Sequence, residues 1–315
     1  MLDVLSDILS RLDLQGTLYF RTSFTPPWAV EVPAFSNVAR FHFAYRGQCQ
    51  VRVAGEAAPI ELAQGDLLII PHGASHTLLS GQGEDDPAPL DRVLEQSGFG
   101  GSGVLVWGGA DTDRETQLIC GHFAFAEGRK HCLIDNLPSH IHIRNYGEKA
   151  GRWMDATLRM IGDEAEGDDL GADLVALRLS EVILAQALRA YLGREGRDRV
   201  GLAGFADAHL SRALAGFHAT PAESWTVERM ATEAGLSRSA FAERFMDKFG
   251  VSTMRYVTSW RMLIARERLV QGAPIGLVAE AVGYASESAF SRVFRQETGL
   301  SPGRYRAARR VAEVG

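Results

Sequence analysis

The stretch Ala281-Val282-Gly283-Tyr284-Ala285-Ser286-Glu287-Ser288-Ala289-Phe290-Ser291-Arg292-Val293-Phe294 constrains this chain more than any other. It reads as helix, tight turn, helix. The first helix, Ile275 to Val282, follows Pro274 and stops at Gly283, a residue able to take the left-handed backbone of a sharp exit. Ser286 is placed to cap a second helix. On that helix Phe290 and Phe294 stand four apart and face inward together, while Glu287, Ser288, Ser291, Arg292 and Arg295 fall on the other side. A short helix with a small, polar and basic outer face suits the DNA major groove.

A second copy strengthens the reading. Val227 to Phe249 repeats the pattern: Gly235 lies 48 positions before Gly283, and Phe241, Phe245 and Gly250 lie 49 before Phe290, Phe294 and Gly299. One residue was gained in the second turn. The step from capping serine to phenylalanine is the same in both, Ser237 to Phe241 and Ser286 to Phe290. Two such units joined by a long helix, about Thr253 to Val270, make one domain with two reading heads. Arg238, Ser239, Ala242 and Glu243 project from the first head. Arginine can take guanine bidentately, glutamate can accept from cytosine N4, and alanine can touch a thymine methyl. Arg255, Arg261 and Arg304 are candidate phosphate contacts.

The segment from about Leu210 to Arg306 resembles the double helix-turn-helix domain of AraC/XylS-type transcription regulators. The resemblance rests on Trp225-Thr226-Val227, Ala234-Gly235-Leu236-Ser237, Trp260-Arg261 and Gly283-Tyr284-Ala285-Ser286-Glu287-Ser288. The closing Gly299-Leu300-Ser301-Pro302-Gly303-Arg304-Tyr305-Arg306 carries it too. It covers about a third of the chain. It implies promoter double-stranded DNA as partner, and RNA polymerase as well if the protein activates.

Net charge agrees once it is divided. The whole chain carries −6, which alone argues against a nucleic-acid partner. From Ala206 onward, however, 15 Lys and Arg face 11 Asp and Glu, whereas the preceding residues carry 18 against 28. The basic part coincides with the two helix-turn-helix copies, as phosphate neutralisation requires.

Upstream the chemistry is different. Leu2 to Leu12 has the spacing of a short amphipathic helix, with Leu5, Ile8, Leu9 and Leu12 on one side. From Gly16 to about Ile143 short apolar or alternating runs are separated by Gly and Pro: 17–20, 39–45, 49–53, 66–70 and 117–125. Strands at this spacing predict a sandwich or barrel. Gly65-Asp66-Leu67-Leu68-Ile69-Ile70-Pro71-His72-Gly73-Ala74-Ser75-His76 is similar to the second cupin motif, so residues 16 to 145 are expected to form a cupin-like jelly roll. The first cupin motif is degenerate: His42 is present, Ala44 stands where a second histidine would be, and the usual glutamate has no counterpart. That loss counts against oxygenase or isomerase chemistry. Gly81 to Gly103 reads as a mobile surface loop with one short helix, Leu90 to Glu95.

His42, His76 and Cys120 are the candidate metal ligands of this domain. His76 ends the cupin motif, His42 lies on the first-motif strand, and Cys120 is on a strand of the same sheet set. Imidazole with thiolate is a zinc-type donor set, so zinc or another divalent transition metal is the expected ion, with His72 or His122 as a fourth ligand. The competing reading makes each histidine an isolated core residue and Cys120 a small hydrophobe. Redox sensing by a thiolate is a subsidiary reading. Cys49 is expected in the core and Cys132 at a strand end. Trp28 and the stripe Phe41, Phe43 and Tyr45 fit ordinary core better than a ligand cavity.

Between these parts, Gly147 to Ile161 and Asp173 to Leu192 read as helices. The second has two apolar sides, which fits either a homodimer contact or burial in its own domain. Gly193 to Gly204, rich in glycine and charge, reads as a linker. Three cysteines make no even disulfide framework, no apolar run approaches the roughly 18 residues of a membrane helix, and the N-terminus has no basic head. A cytoplasmic setting is therefore expected.

The expected fold is α+β: a cupin-like sensor over 1–145, a helical linker or dimerisation segment over 146–204, and an all-α double helix-turn-helix domain over 205–315. The expected role is a DNA-binding transcription regulator, not an enzyme, whose cupin-like domain senses a small molecule, metal or oxidant. The alternative is a metal-dependent cupin enzyme with an accessory DNA-binding domain.

Overall fold

The computed structural model describes residues 3–11, 15–81, 86–101, 103–109, 112–125, 131–144, 156–157, 160 and 170–312. Internal contacts divide the chain into two units. One holds Leu14–Ala126 and Leu137–Tyr191, the other Met1–Asp13, Glu127–Asn136 and Leu192–Gly315.

The strands of the first unit are β1 (Gln15–Thr25), β2 (Ala29–Val32), β3 (Val38–Arg46), β4 (Cys49–Val53), β5 (Ile60–Leu62), β6 (Leu67–Ile70), β7 (His76–Leu79), β8 (Ala88–Pro89), β9 (Val104–Gly108), β10 (Gln117–Ala124) and β11 (Ile141–Ile143). They form a six-stranded sheet, β11-β6-β3-β10-β1-β9, and a five-stranded sheet, β5-β4-β7-β2-β8. Strands distant in sequence lie side by side, as in a jelly roll. The inner faces share one core. Ala44, Leu68, Ile70, Leu118 and Cys120 come from the first sheet, and Val30, Val51, Val53 and Leu78 from the second.

The six-stranded sheet is buried on its other face as well. Phe41, Phe43 and Phe123 lie there, with Phe41 and Phe123 ring centres 5.3 Å apart. Burial on both faces explains why 67–70 is solidly apolar instead of alternating. It also places the aromatic stripe of β3 on the opposite side of the sheet from His42.

The helices are α1 (Val4–Arg11), α2 (Leu90–Ser97), α3 (Cys132–Asp135), α4 (Ala172–Leu192), α5 (Ala208–Ala219), α6 (Val227–Ala234), α7 (Arg238–Phe249), α8 (Thr253–Val270), α9 (Ile275–Ala281), α10 (Glu287–Thr298) and α11 (Pro302–Ala312). The glycine-rich excursion expected as a mobile loop is, over 86–101, packed structure. Leu90, Val93 and Leu94 share one face of α2 and seat it on the core together with Phe99. On α4, Ile183, Leu184, Ala187 and Leu188 are buried, while Leu174, Val175 and Val182 are exposed. The helix expected over 147–161 falls outside the described residues except for 156–157 and 160.

In the second unit α8 is the central beam. Tyr256, Trp260, Leu263 and Ile264 are buried along it among Phe217, Phe241, Phe245 and Phe249. Thr226, Ser237, Ser252 and Ser286 cap α6, α7, α8 and α10 through their hydroxyls. The stretch expected as a free linker is packed here too. Leu202 and Ala203 are buried, the Gly201 N–H donates to the Lys248 carbonyl at 2.9 Å, and a Cβ on Gly204 would meet the Phe249 ring at 2.0 Å.

Two pieces remote in sequence complete this unit. From α1, the Asp7 carboxylate accepts from His218 Nδ1 at 2.8 Å and from Arg11 Nε at 3.0 Å. Tyr256 Oη donates to His218 Nε2 at 2.9 Å. Burial works against ionisation of Asp7, but the His218 and Arg11 contacts hold its carboxyl below the usual range. From α3, His131 sets its ring edge-on to Trp260 at 5.2 Å. Cys132, expected at a strand end, is the first residue of this short helix.

Candidate ligand-sensing and nucleic-acid sites

The cupin-like motif folds as its residues dictate. Gly65 takes a positive φ of 87° before β6, and Gly73 one of 65° before β7. A Cβ on Gly73 would meet the Phe35 carbonyl at 2.2 Å, so only glycine fits that turn. The turn delivers His76 to the first position of β7, paired with Val32 on β2 and Val53 on β4. Across the core, His42 and Cys120 are direct cross-strand partners on β3 and β10.

All three side chains are buried and joined in a line. His76 Nδ1 lies 3.0 Å from the Ala74 carbonyl, His42 Nε2 lies 2.8 Å from His76 Nε2, and Cys120 Sγ lies 3.1 Å from His42 Nδ1. A carbonyl can only accept, so His76 donates from Nδ1 and, neutral, accepts at Nε2. His42 must then donate from Nε2 and accept at Nδ1, which assigns the remaining donor to the Cys120 thiol.

The electrostatics favour this neutral chain. Burial, then His76 and Arg40, hold His42 well below the usual histidine range. Burial takes His76 down to about 4 despite its bond to Ala74, and burial also raises the Cys120 thiol.

The expected three-ligand ion does not match the geometry. His42 turns opposite ring nitrogens toward Cys120 and His76, and a ring cannot direct both at one point. Both separations are hydrogen-bond distances. Among the described residues no group of three or more His, Cys, Asp or Glu could hold a metal ion. Of the two expected fourth ligands, His72 Nε2 donates to the Leu137 carbonyl at 2.9 Å, and His122 lies opposite Arg40 in the β10–β3 register, held below the usual histidine range by burial and by that charge. Sequence reasoning missed Arg40, whose buried charge depresses both histidines. Its strand parity with His42 was the available signal.

In the second unit the two helix-turn-helix copies have the same frame. Gly235 and Gly283 take positive φ of 68° and 80° at the turns. The Ser237 and Ser286 hydroxyls accept from the Ala240 and Ala289 N–H groups at 3.3 and 3.2 Å. Phe241 with Phe245, and Phe290 with Phe294, are fully buried beneath α7 and α10. Arg238, Ser239, Ala242, Glu243, Glu287, Ser288, Arg292 and Arg295 are exposed, and Ser291 is half-buried. Arg238 is ion-paired with Glu228 of α6.

The three arginines expected on phosphates divide. Arg261 donates to the Pro221 and Glu223 carbonyls at 2.9 and 2.7 Å and so ties α8 to the turn before α6. Arg255 pairs with Glu297. Arg304 lies on α11 and is exposed.

Comparison with known proteins agrees with this architecture. Residues 3–193 match the Cupin family model, and residues 230–308 match a Helix-turn-helix domain. A putative AraC-like transcription regulator of Streptomyces antibioticus is 34% identical over 97% of this chain and 98% of its own length. The RCS-specific HTH-type transcriptional activator RclR of Escherichia coli is 23% identical over 97% of this chain and 98% of its own. The solved DNA-binding domain of AdpA in complex with a target DNA shares 30% identity over 34% of this chain and 96% of that one, with a TM-score of 0.32. Among the described residues no helix is long and apolar enough to cross a membrane. A regulator and not a cupin enzyme, the chain belongs to the AraC family of DNA-binding transcription regulators, with a cupin-like domain ahead of its double helix-turn-helix.

Proposed function

We propose that the cupin-like domain senses a small molecule at the Cys120–His42–His76 chain, and that its occupancy changes how firmly α7 and α10 hold a promoter. One observation carries this reading. The chain runs through the core between the sheets, beside the buried Arg40, and it ties β3 and β10 of one sheet to β7 of the other. An effector that takes a hydrogen bond from one member breaks the tie between the sheets and biases the unit toward a second arrangement. Burial keeps all three groups neutral and the nearby buried Arg40 disfavours a further positive charge, so an uncharged effector suits the site better than a cation.

An oxidant is the second reading, favoured by the thiol and by the 23% identical relative named as RCS-specific. The raised thiol works against it, since the thiolate is the reactive form. Leu174, Val175 and Val182, exposed on α4, support a homodimer through that helix, and contact with RNA polymerase follows where the promoter is activated.

The test is a reporter driven by the promoter nearest the gene, in cells given a panel of uncharged small molecules and, separately, hydrogen peroxide. His76→Gln and Cys120→Ser should keep DNA binding and lose the response. A response to peroxide alone, abolished by Cys120→Ser, selects the oxidant reading. Unchanged responses in both variants remove the sensing role from this chain.

A further inference from the structure

The geometry points to a bipartite operator of unlike halves: α7 reads a block bearing thymine and cytosine, and α10 reads a block bearing guanine. The inference rests on the reading that these two helices face DNA, and it assigns what each one selects.

The structural frames are the same, so positions can be compared one by one. Each helix has 12 residues, starts on a serine cap and ends on a left-handed glycine, Gly250 or Gly299. Each buries a phenylalanine pair on one side. Opposite that pair runs a stripe at i, i+3, i+4 and i+7, the spacing of one helix face. On α7 the stripe is Ser239, Ala242, Glu243 and Met246; on α10 it is Ser288, Ser291, Arg292 and Arg295. Met246 is 47% exposed although it is a large apolar residue, and its register partner is Arg295.

The chemistry of the two stripes is opposed. Glu243 stands where α10 has Arg292. The α7 stripe holds no basic group, and the nearby Arg238 is occupied by Glu228. What α7 offers the major groove is a carboxylate acceptor flanked by two apolar side chains. A carboxylate accepts from cytosine N4, and alanine or methionine packs on the thymine C5 methyl. Glu243 also repels phosphate and leaves a guanine O6 or N7 unpaired, so the same residue rejects the block that α10 prefers. In contrast, α10 offers two guanidinium groups, each a bidentate donor matched to guanine O6 and N7. With the heads in successive major grooves, the two blocks lie about 10 base pairs apart on one face of the duplex.

The experiment is selection from a randomised duplex library with the full-length chain as wild type, Glu243→Arg, Glu243→Gln and Arg292→Glu. Both positions belong to exposed residues, so folding is checked by thermal unfolding alone. Wild type should enrich a thymine–cytosine block and a guanine block about one turn apart. Arg292→Glu should lose guanine preference in its own block only, with roughly tenfold or greater weakening on the wild-type duplex. Glu243→Arg should replace cytosine by guanine in the other block only, and Glu243→Gln should relax it without inversion. Equal weakening on every duplex with unchanged motifs would place these side chains on the backbone and overturn the assignment while leaving α7 and α10 on DNA. Unchanged motif and affinity in all variants, or no enrichment by wild type, would also overturn the reading that these helices face DNA.

Discussion

Phe290→Ala tests whether the second reading head is held from below. The ring is fully buried beneath α10, 5.8 Å from the Tyr284 ring and 5.5 Å from that of Phe294, which in turn lies 5.4 Å from Tyr305. Removing it opens a cavity between α10, the preceding turn and α11, walled by rings that cannot all move inward. Truncations of this kind cost about 3–5 kcal/mol, from lost transfer energy plus the cavity. For a domain with a urea dependence of roughly 2 kcal/mol per molar, the midpoint should drop by about 2 M. Trp225 and Trp260 lie in the same unit and report its unfolding by fluorescence. Phe35→Ala is the control, because that ring is 49% exposed in the other unit and its loss should leave this transition in place. Promoter affinity should fall although Phe290 contributes no groove-facing atom, since α10 loses its seat. A midpoint shift below about 0.3 M would refute the packing argument.

Three further outcomes are expected. His76, taken from an unfolded value near 6.5 to about 4, should make the sensor unit less stable as pH falls. The unfolded chain binds the proton first, so stability is complete above about pH 6.5 and is lost toward pH 4, by on the order of 3 kcal/mol; urea midpoints at both ends, against a flatter profile in His76→Gln, measure it. Gly283→Ala should destabilise the second helix-turn-helix by more than about 1 kcal/mol, because φ is 80° and the new Cβ would meet the Ala222 carbonyl at 2.4 Å; an unchanged melting temperature would contradict this. Elemental analysis of the purified protein should find transition metal well below one ion per chain, and an equivalent of zinc lost in both His76→Gln and Cys120→Ser would show that His42 turns to share a ligand sphere.

Much of the second unit was legible in the chain alone because its signals are local. Gly283 and Gly235 mark turns that need a positive φ. Ser237 and Ser286 cap the residues that follow them, and each phenylalanine pair is four apart on one helix. All of these act over a single helical turn, so spacing along the chain equals arrangement in space. The cupin-like turn at Gly65 to His76 was readable for the same reason, as was the strand parity that puts His42 and Cys120 on an inner face.

Tertiary structure decided what depends on partners far away in sequence. No spacing rule tells that His42 directs one ring nitrogen at Cys120 and the other at His76; that follows from the register of β3 with β10 and the approach of β7 from the second sheet. The three residues were the right ones to single out, but hydrogen-bond geometry, not residue type, makes them a neutral chain. Asp7, by sequence an ordinary acid on an amphipathic helix, is buried against His218, 211 residues away, whose other ring nitrogen is held by Tyr256. The supposed linker around Leu202 packs because Phe249 leaves a space that only Gly204 can line. Local chemistry sets turns, caps and faces; which faces meet is a long-range packing question, settled only when the whole core is assembled.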